Sequence, residues 1–484
     1  MSSILKTGEN KNKCQKFTPQ TLVKTMLDLV NYNANLMGKT ILENSFGTGN
    51  ILKEIVVRYI ESALELGCAV CDIAAGLSKD IYGVELDKSL YDGCIIELNK
   101  ILDTYGIPTV EWKLFNSNAL SLKLDIDFDF IIGNPPYISY KAMDKNSRKH
   151  LKKNFDSCAV GKFDYCYAFI ELGVKRLKSN GKLVQLIPNN IYKNVFAKNL
   201  RELLSDHISI IFDYPNQKLF DKALTSVSIF VYDKENNSNC IRYENVTEGT
   251  KYKVKRDKLG EKWMFAGNEC GSAKKVRFGD AFHTSVTIAT LYNKAFLVDE
   301  DYIETKNLER DLLKEAVSPK TFRYDKKKKI IFPYTYDTNG LCRYSEEEFE
   351  KKFPNIAQHL KQYSKKLKAR KSDKKARWFE YGRSQALVHM NKEKLLTSTV
   401  VTNEVEVYKV GVNTIPFSGI YITVKNPKYS LDDAIAILKS EQFLRYVQSI
   451  GISVSGQSLR ITCKDINNYL FIGGQCDGET TICN

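Results

Sequence analysis

The sequence lacks the features that would place it in a membrane or outside the cell. No stretch approaches the roughly 20 consecutive apolar residues that a membrane-spanning helix needs. Residues 1–13, MSSILKTGENKNK, lack the apolar core of a secretory signal. The cysteines are scattered, and Cys68 and Cys71 form a lone CxxC without a second pair at the spacing of a zinc site. We therefore expect a cytoplasmic protein with reduced thiols, without a membrane segment and without a bound metal.

Charge is unevenly distributed along a chain of otherwise ordinary composition. With 484 residues, 43% of them hydrophobic and 27% charged, the chain is long enough for two or three soluble domains. Residues 1–250 hold 31 Lys and Arg against 29 Asp and Glu, a balance of +2, whereas residues 251–484 hold 41 against 28, a balance of +13. This asymmetry is typical of chemistry in the first half and polyanion binding in the second, although a lysine-rich solvated surface gives the same count.

The first half alternates short strands with helices. Thr18-Pro19 is typical of a helix start, with Thr18 as the N-cap. Four later segments each predict a strand that ends in polar or glycine residues: KTILENSFGTGNIL, DIYGVELDKSL, VEWKLFNSNAL and DFDFIIGNPPY. This alternation predicts an α/β fold with a Rossmann-like, doubly wound and mostly parallel sheet over residues 1–240, in which ligands bind at the carboxyl ends of strands. The alternation weakens afterwards, which predicts a basic, mixed α+β domain over residues 250–484.

Several residues at the predicted strand ends are candidate ligand contacts. Gly47 and Gly49 in FGTG permit a tight turn and a close backbone approach to a ligand, although many plain turns share this spacing. Glu85 could accept hydrogen bonds from both hydroxyls of a ribose, or could be a solvated acid at a helix start. Asn118 could face a purine edge or could cap the following turn. Taken singly, these residues do not decide between a ligand site and ordinary turns.

The segment Asn134-Pro135-Pro136-Tyr137 is more specific. Consecutive prolines cannot donate to a sheet, so the apolar strand before them must end there. The amide oxygen of Asn134 and the carbonyl of Pro135 offer two acceptors to one exocyclic amine, which would localise the nitrogen lone pair for attack. Tyr137 offers a face on which a base could stack. The segment is therefore suited to holding an aromatic amine as a nucleophile.

In this order the motifs resemble the amino-group DNA methyltransferases of restriction–modification systems, and among them the gamma-ordered, adenine-specific NPPY class with a C-terminal target-recognition domain. The resemblance covers residues 14–233 and continues more loosely to the end. It implies that residues 1–240 form the catalytic domain and residues 250–484 the DNA target-recognition domain. The implied reaction is methyl transfer from S-adenosyl-L-methionine to the 6-amino group of an adenine flipped out of duplex DNA.

The resemblance also implies roles for individual residues. Asn118 departs from the family pattern because an aspartate is usual there, and Asn44 stands where proline is common. The implied catalytic residues are Asn134, Pro135, Pro136 and Tyr137, and the residues that stack on the target base are Tyr137 and Phe220. The implied contacts to the methyl donor are Thr18, Glu43, Ser45, Gly47, Gly49, Glu85, Leu86, Asn118, Ala119, Asn134 and Phe169.

A basic and aromatic segment, KQYSKKLKARKSDKKARWFEYGR, lies in the second half. Between Lys361 and Arg377 it holds nine Lys and Arg against one acid, Asp373. Its WFEYGR resembles a recurrent stretch of the family's recognition domains, and a steep salt dependence of DNA binding is expected. For any single lysine, a charged surface helix is the alternative. The expected DNA contacts are Lys365, Lys366, Lys368, Arg370, Lys371, Lys374, Lys375, Arg377, Trp378 and Arg383.

The residues leave other substrates open. The same geometry serves methylation of a cytosine amino group, of RNA or of a protein glutamine, and the +13 balance of residues 251–484 favours a nucleic acid among these. An inactive, DNA-binding specificity subunit is a further alternative, against which the intact Asn134, Pro135 and Tyr137 argue. We expect a monomer that modifies duplex DNA within a restriction–modification system, with a separate cognate endonuclease as a candidate partner.

Overall fold

The protein divides into two compact units, one up to residue 268 and one from residue 269. The computed structural model describes residues 18–220, 223–265, 275–324, 328–338, 340–455 and 458–472. The boundary lies after the predicted one at residues 240–250. The reason is that two further strands, Cys240–Asn245 and Thr250–Lys255, continue the sheet of the first unit.

Among the described residues, the first unit is built around a nine-stranded sheet. Its strands are β1 (Ile41–Glu43), β2 (Ile81–Glu85), β3 (Lys113–Asn116), β4 (Phe128–Gly133), β5 (Leu177–Pro188), β6 (Ile208–Phe220), β7 (Ala223–Asp233), β8 (Cys240–Asn245) and β9 (Thr250–Lys255). They pair in the order β3-β2-β1-β4-β5-β7-β6-β8-β9. The pairs from β3 to β5 are parallel, and β7 runs antiparallel to both β5 and β6. The doubly wound, mostly parallel sheet predicted for this half is confirmed.

Helices connect these strands: α1 (Gln20–Leu29), α2 (Asn50–Glu65), α3 (Val70–Asp80), α4 (Lys88–Tyr105), α5 (Lys145–Asn154), α6 (Cys166–Lys175) and α7 (Lys198–Leu204). Short 3₁₀ helices cover Asp156–Cys158, Asn189–Tyr192, Val195–Ala197 and Arg256–Lys258. The α4 helix begins where the Asp87 carboxylate accepts from the amides of Ser89 and Leu90. By contrast, Pro19 is the N-cap of α1 and no side chain caps that helix, so the N-cap role predicted for Thr18 is wrong.

Alternate strand residues enter two separate apolar clusters, one on each face of the sheet. Ile41 and Ile132 pack with α1, α2 and α4, whereas their neighbours Leu42 and Ile131 pack with α6. The direction of strand addition reverses between β1 and β4, because the chain builds β2 and β3 on one side and β5 on the other. In sheets of this kind the crevice at such a reversal is the usual ligand site.

The second unit combines small sheets with short helices. Its strands are β10 (Lys275–Arg277), β11 (Phe282–Val286), β12 (Leu297–Val298), β13 (Leu313–Val317), β14 (Lys329–Ile331), β15 (Tyr334–Asp337), β16 (Gly340–Arg343), β17 (Lys394–Thr397), β18 (Val400–Val401), β19 (Val407–Val410), β20 (Thr414–Pro416), β21 (Ile420–Val424), β22 (Ile452–Ser455), β23 (Ser458–Arg460) and β24 (Leu470–Ile472). Their pairing orders are β11-β21-β17-β19, β12-β14-β13-β20, β18-β23-β22, β10-β24 and β15-β16. The mixed α+β architecture predicted here is confirmed.

The helices of the second unit are α8 (Phe278–Ala281), α9 (Asn293–Phe296), α10 (Glu300–Lys306), α11 (Pro319–Arg323), α12 (Glu346–Lys352), α13 (Pro354–Lys361), α14 (Ser364–Lys368), α15 (Leu431–Lys439), α16 (Glu441–Ile450) and α17 (Cys463–Asn468). Two 3₁₀ helices cover Arg310–Leu312 and Leu387–His389. Two apolar clusters form its core, one around Phe296 and Tyr381 and the other around Phe282 and Phe443.

The described residues contain neither a membrane-spanning helix nor a cluster of metal ligands. Within them, no helix is both long and apolar enough to cross a membrane. The same ranges contain no group of three or more His, Cys, Asp or Glu arranged to hold a metal ion. In the first unit, β9 forms an edge of the sheet, and its lysines Lys251, Lys253 and Lys255 are exposed.

Candidate active site

The segment Asn134-Pro135-Pro136-Tyr137 leaves the sheet in the crevice between β1 and β4. The two strands are parallel, with Glu43 level with Ile132, so the chain after β1 and the chain after β4 emerge side by side. The Ser45 hydroxyl donates to the main-chain carbonyl of Asn134 at 3.4 Å. The predicted catalytic amide and the predicted donor-binding turn therefore share one edge of the sheet.

The side chain of Asn134 is held by residues distant in sequence. Its Nδ2 donates to Thr18 Oγ1 at 3.1 Å. Thr18 is itself buried, and its carbonyl accepts from Asn50 Nδ2 at 3.1 Å at the start of α2. Thr18, which was predicted to lie near the methyl donor, thus contacts the amide that was predicted to be catalytic. Asn50 was missed, because its sequence position inside NIL only indicated a helix start.

Tyr137 is anchored at its hydroxyl end. The hydroxyl donates to the carbonyl of Leu186 on β5 at 2.9 Å. Burial raises the pKa of Tyr137 well above its ordinary value, so the phenol stays protonated and keeps this bond. The preceding Pro135 is buried and Pro136 is half-buried. The hydroxyl end of the Tyr137 side chain is therefore held against β5.

The two glycines of the FGTG turn differ in the space around their Cα atoms. Both adopt left-handed backbone, with φ of 55° at Gly47 and 76° at Gly49. A Cβ on Gly49 would lie 2.2 Å from Sγ of Cys94 on α4, whereas a Cβ on Gly47 would meet nothing within 4 Å. Gly49 is required by packing between α2 and α4, and Gly47 leaves its backbone accessible.

The carboxylate of Glu85 ties two turns together at the end of β2. One oxygen accepts from the Gly47 amide and the other from the Asp87 amide, each at 2.8 Å. A carboxylate oxygen can accept a second hydrogen bond, so the predicted ribose contact is compatible with these two bonds. The adjacent Leu86 is exposed. Sequence reasoning missed Asn116, whose amide donates to the carbonyls of Glu85 and Leu86 at 2.9 and 3.2 Å.

The remaining predicted donor contacts lie after β3 and on α6. The side-chain oxygen of Asn118 accepts from the Leu120 amide at 3.0 Å, which is the turn-capping alternative considered for this residue. Ala119 and Phe169 are buried and belong to the same apolar cluster. The Phe169 ring lies 5.4 Å from that of Tyr165, centroid to centroid.

Glu43 is a buried acid at the end of β1. Its side chain is 2% exposed, and its Oε2 has no hydrogen-bond partner among the described residues. Burial, and then the nearby charge of Glu85, hold the pKa of Glu43 well above its ordinary value. A buried carboxyl group with one unpaired oxygen fits a ligand that carries a cationic group.

One predicted base-stacking residue cannot be placed. The backbone of β6 extends to Phe220, which pairs with Ala223. The side chain of Phe220 lies outside the described part of the structure, so its stacking role stays a prediction.

The predicted DNA-contacting residues separate into two groups. Six lysines of the basic segment are exposed: Lys365, Lys366, Lys368, Lys371, Lys374 and Lys375. Arg370 instead turns inward, where its guanidinium donates to the carbonyls of Thr290, Trp378 and Glu380. The structure thus gives Arg370 a role in fixing the WFEYGR segment, which differs from the predicted DNA contact.

The other three predicted contacts also have protein partners. Arg383 donates to Asp373 at 2.8 Å, and Arg377 lies 3.5 Å from Oε1 of Glu380. Trp378 is half-buried, with its ring 5.7 Å from that of Phe379, centroid to centroid. The charge pattern along the chain did not reveal these contacts within the protein.

Two substitutions in this segment distinguish a residue that stabilises the fold from one that only adds surface charge. Arg370→Ala should lower the free energy of unfolding by about 3 kcal/mol, because four main-chain acceptors, including the carbonyl of Leu367, lose a charged donor. Lys371→Ala, next to it but exposed, should leave stability nearly unchanged. Urea-induced unfolding measures both, and equal stability of the two variants would contradict the inward placement.

The amino-acid sequence of the chain is similar to those of known methyltransferases of restriction-modification systems. Residues 78–220 match the family described as Eco57I restriction-modification methylase. The chain is 23% identical to the type II methyltransferase M.BstVI of Geobacillus stearothermophilus, over 92% of this chain and 87% of that protein. It is 24% identical to the type II restriction enzyme and methyltransferase RM.Eco57I of Escherichia coli, over 73% of this chain but only 40% of that protein.

Solved structures resemble the chain at the level of the fold. The type IIL restriction-modification enzyme MmeI, solved in complex with DNA, matches with a TM-score of 0.61 at 15% identity. The match covers 93% of this chain and 65% of MmeI. The fold of both units therefore recurs within one restriction-modification enzyme.

Proposed function

Because this chain is a DNA methyltransferase of the restriction–modification kind that uses S-adenosylmethionine, we propose that it methylates the exocyclic 6-amino group of adenine in duplex DNA. The observation that carries this proposal is the position of Asn134-Pro135-Pro136-Tyr137 at the strand-order reversal. There the amide of Asn134 is hydrogen-bonded to Thr18, and the Tyr137 ring is anchored to β5.

The contacts of Asn134 prepare it to hold an amine. Ser45 fixes its main chain and Thr18 fixes its amide, so little side-chain freedom is lost when a substrate binds. The amide oxygen of Asn134 and the carbonyl of Pro135 would accept from the two N–H groups of the amine. Two acceptors held out of the base plane draw the nitrogen lone pair away from the ring and towards the methyl group.

The reaction is a direct displacement. S-adenosylmethionine supplies the methyl group on a positively charged sulfur. The adenine nitrogen forms the new bond to carbon as the sulfur–carbon bond breaks, and the resulting cationic amine then loses a proton to solvent. Catalysis therefore rests on positioning by Asn134 and Pro135, and no general base is required.

The target base has to leave the helix to reach this crevice. Unpairing and unstacking cost about a few kcal/mol, which stacking in the pocket offsets. The anchored ring of Tyr137 offers one stacking surface, and Phe220 is the residue proposed for the other. The exposed lysines of the second unit would contact phosphates and give binding its salt dependence.

The buried Glu43 is proposed to accept from the ammonium group of the methyl donor. Since the pKa of Glu43 is raised by burial, its carboxyl holds a proton in the free protein up to a higher pH than an exposed acid does. An approaching cation favours the ionised form, so donor binding should release a proton. Donor affinity should accordingly rise with pH until the free protein is itself deprotonated at Glu43.

Titration calorimetry in two buffers of different ionisation enthalpy measures this proton release. The control is Glu43→Gln, which should bind the donor more weakly and release fewer protons than the wild type. If the wild type and Glu43→Gln release the same number of protons, the proposed contact is wrong.

The function is tested by incubating the protein with radiolabelled S-adenosylmethionine and unmethylated duplex DNA. We expect label on the adenine 6-amino group within one short recurring sequence, read by modification-sensitive sequencing. Label on cytosine would correct the base, and label only on RNA or protein would overturn the DNA substrate. A separate cognate endonuclease and a monomeric state remain part of the proposal, and sedimentation of the purified chain tests the second.

A further inference from the structure

A cavity in the second unit is built around paired arginines. It has a volume of about 450 Å³ and lies between the end of β16 and residues 373–384, which include the last part of the basic segment. Its polar lining consists of Arg343, Asp373, Lys375, Arg377, Tyr381 and Ser384.

The buried side chain of Glu380 contacts both arginines. It is 1% exposed, its Oε2 accepts from Arg343 Nη1 at 3.3 Å, and its Oε1 lies 3.5 Å from Arg377 Nη1. The main-chain amide of Arg377 also donates to Oε2, at 2.8 Å. Arg343 is thus held by one hydrogen bond to Glu380, whereas the guanidinium of Arg377 makes an ion pair with Glu380 and is placed by the bond from its own main-chain amide.

The arginines remain accessible from the cavity. The side chains of Arg343 and Arg377 are 30% and 36% exposed. On the same wall, Asp373 accepts from Arg383 and from the amide and hydroxyl of Ser384 at 2.8 to 3.0 Å. The loop from Asp373 to Ser384 is therefore closed on itself and presents its donors in a fixed geometry.

The acids beside the arginines indicate whether the arginines contact a DNA phosphate or the edge of a base. A phosphate site gains from uncompensated positive charge. Here Glu380 offsets part of the charge of Arg343 and Arg377, and Asp373 pairs with Arg383. The exposed Lys375 on the same lining is the cation suited to a neighbouring phosphate. A base edge carries no net charge and rewards oriented donors instead. The acceptors O6 and N7 of guanine in the major groove match a pair of guanidinium N–H groups.

We infer that this cavity recognises a guanine of the target sequence, with Arg343 and Arg377 donating to its O6 and N7 atoms. Glu380 is a positioning residue that sets the direction of both guanidinium groups. The inference rests on the proposed function, since it presupposes a duplex DNA substrate. It adds that the recognition sequence contains a G·C pair.

The test compares the sequences methylated by the wild type, by Arg377→Lys and by Lys374→Gln in a random duplex library. Arg377→Lys keeps the charge but loses the planar fork, so discrimination at one guanine should fall by about 10- to 100-fold while other positions are unchanged. The exposed Lys374 is the control, and its replacement should weaken methylation of all sequences equally.

A change in the DNA tests the same contact without changing the protein. Replacing the guanine by 7-deazaguanine removes the N7 acceptor and should slow the wild type but not Arg377→Lys. This comparison stays decisive if Arg377→Lys proves less stable, because the rates on guanine and on 7-deazaguanine are compared within each variant.

Distinct results overturn the inference and the proposed function. A recognition sequence without a G·C pair, unchanged discrimination in Arg377→Lys, or an equal loss for all sequences would each refute guanine recognition while DNA methylation stands. A wild type that methylates no DNA would refute the proposed function and guanine recognition with it.

Discussion

Asn134→Ala should lower the single-turnover rate of methyl transfer by about 100- to 1,000-fold while the methyl donor still binds. The substitution removes the amide acceptor and the bond to Thr18 but leaves Glu43, Gly47 and Glu85 in place. Rapid-quench assays with saturating enzyme measure the rate, and calorimetry measures donor affinity.

The matched control is Asn154→Ala, which truncates an exposed asparagine at the end of α5. This variant should retain the wild-type rate. Turnover by Asn134→Ala close to that of the control would refute the proposed role of the amide. Loss of donor binding together with turnover would instead assign Asn134 mainly to the donor site.

Gly49→Ala should destabilise the first unit by about 3 kcal/mol. An alanine at this position would have to adopt the left-handed backbone conformation. Its methyl group would also collide with Sγ of Cys94, which lies 2.2 Å from the Cβ position. Gly47→Ala adds only the backbone strain, about 1 kcal/mol, because no atom lies within 4 Å of its Cβ position. Urea-induced unfolding of the two variants should therefore give clearly different midpoints.

A double substitution isolates the collision from the strain. Cys94→Ala removes the sulfur, so Gly49→Ala should cost less in the Cys94→Ala background than in the wild type. The strain from left-handed backbone remains in both backgrounds and cancels. If the effects of the two substitutions on stability are additive, packing between α2 and α4 is not the reason that residue 49 has to be glycine.

The location of the candidate site was predictable from sequence because its signals are local. A strand followed by two prolines has to end at Asn134, and polar residues after neighbouring strands have to gather at one edge of a parallel sheet. Both expectations depend on covalent geometry and on hydrophobic periodicity within a few residues. The parallel pairing of β1 with β4 then brings Ser45 next to Asn134.

The contacts that orient the site residues were not predictable, because they join distant segments. The bond from Asn134 to Thr18 spans 116 residues, and Thr18 had a plausible local role as a helix cap. Likewise, FGTG contains two glycines with the same backbone sign, and only the position of Cys94 distinguishes their functions. Sequence pattern specifies residue type and spacing, whereas these distinctions depend on tertiary packing.

The sequence also did not predict which charged side chains point into the protein and which point to solvent. Arg370 lies within a run of exposed lysines, yet its guanidinium supports the main chain of the next loop. Glu380, to which the sequence analysis assigned no role, is buried and contacts Arg343 and Arg377. A count of charges reports the net field of a domain and does not report which charges face the protein interior.

The exposed lysines of β9 have a consequence for behaviour at high concentration. An edge strand presents unpaired N–H and C=O groups, to which a strand of another molecule can add. On β9, Lys251, Lys253 and Lys255 alternate with Tyr252 and Val254, so a second copy of this edge would bring like charges together. Repulsion between the lysines thus opposes the pairing of β9 strands from two molecules. Replacing the lysines with threonine would favour aggregation during overexpression.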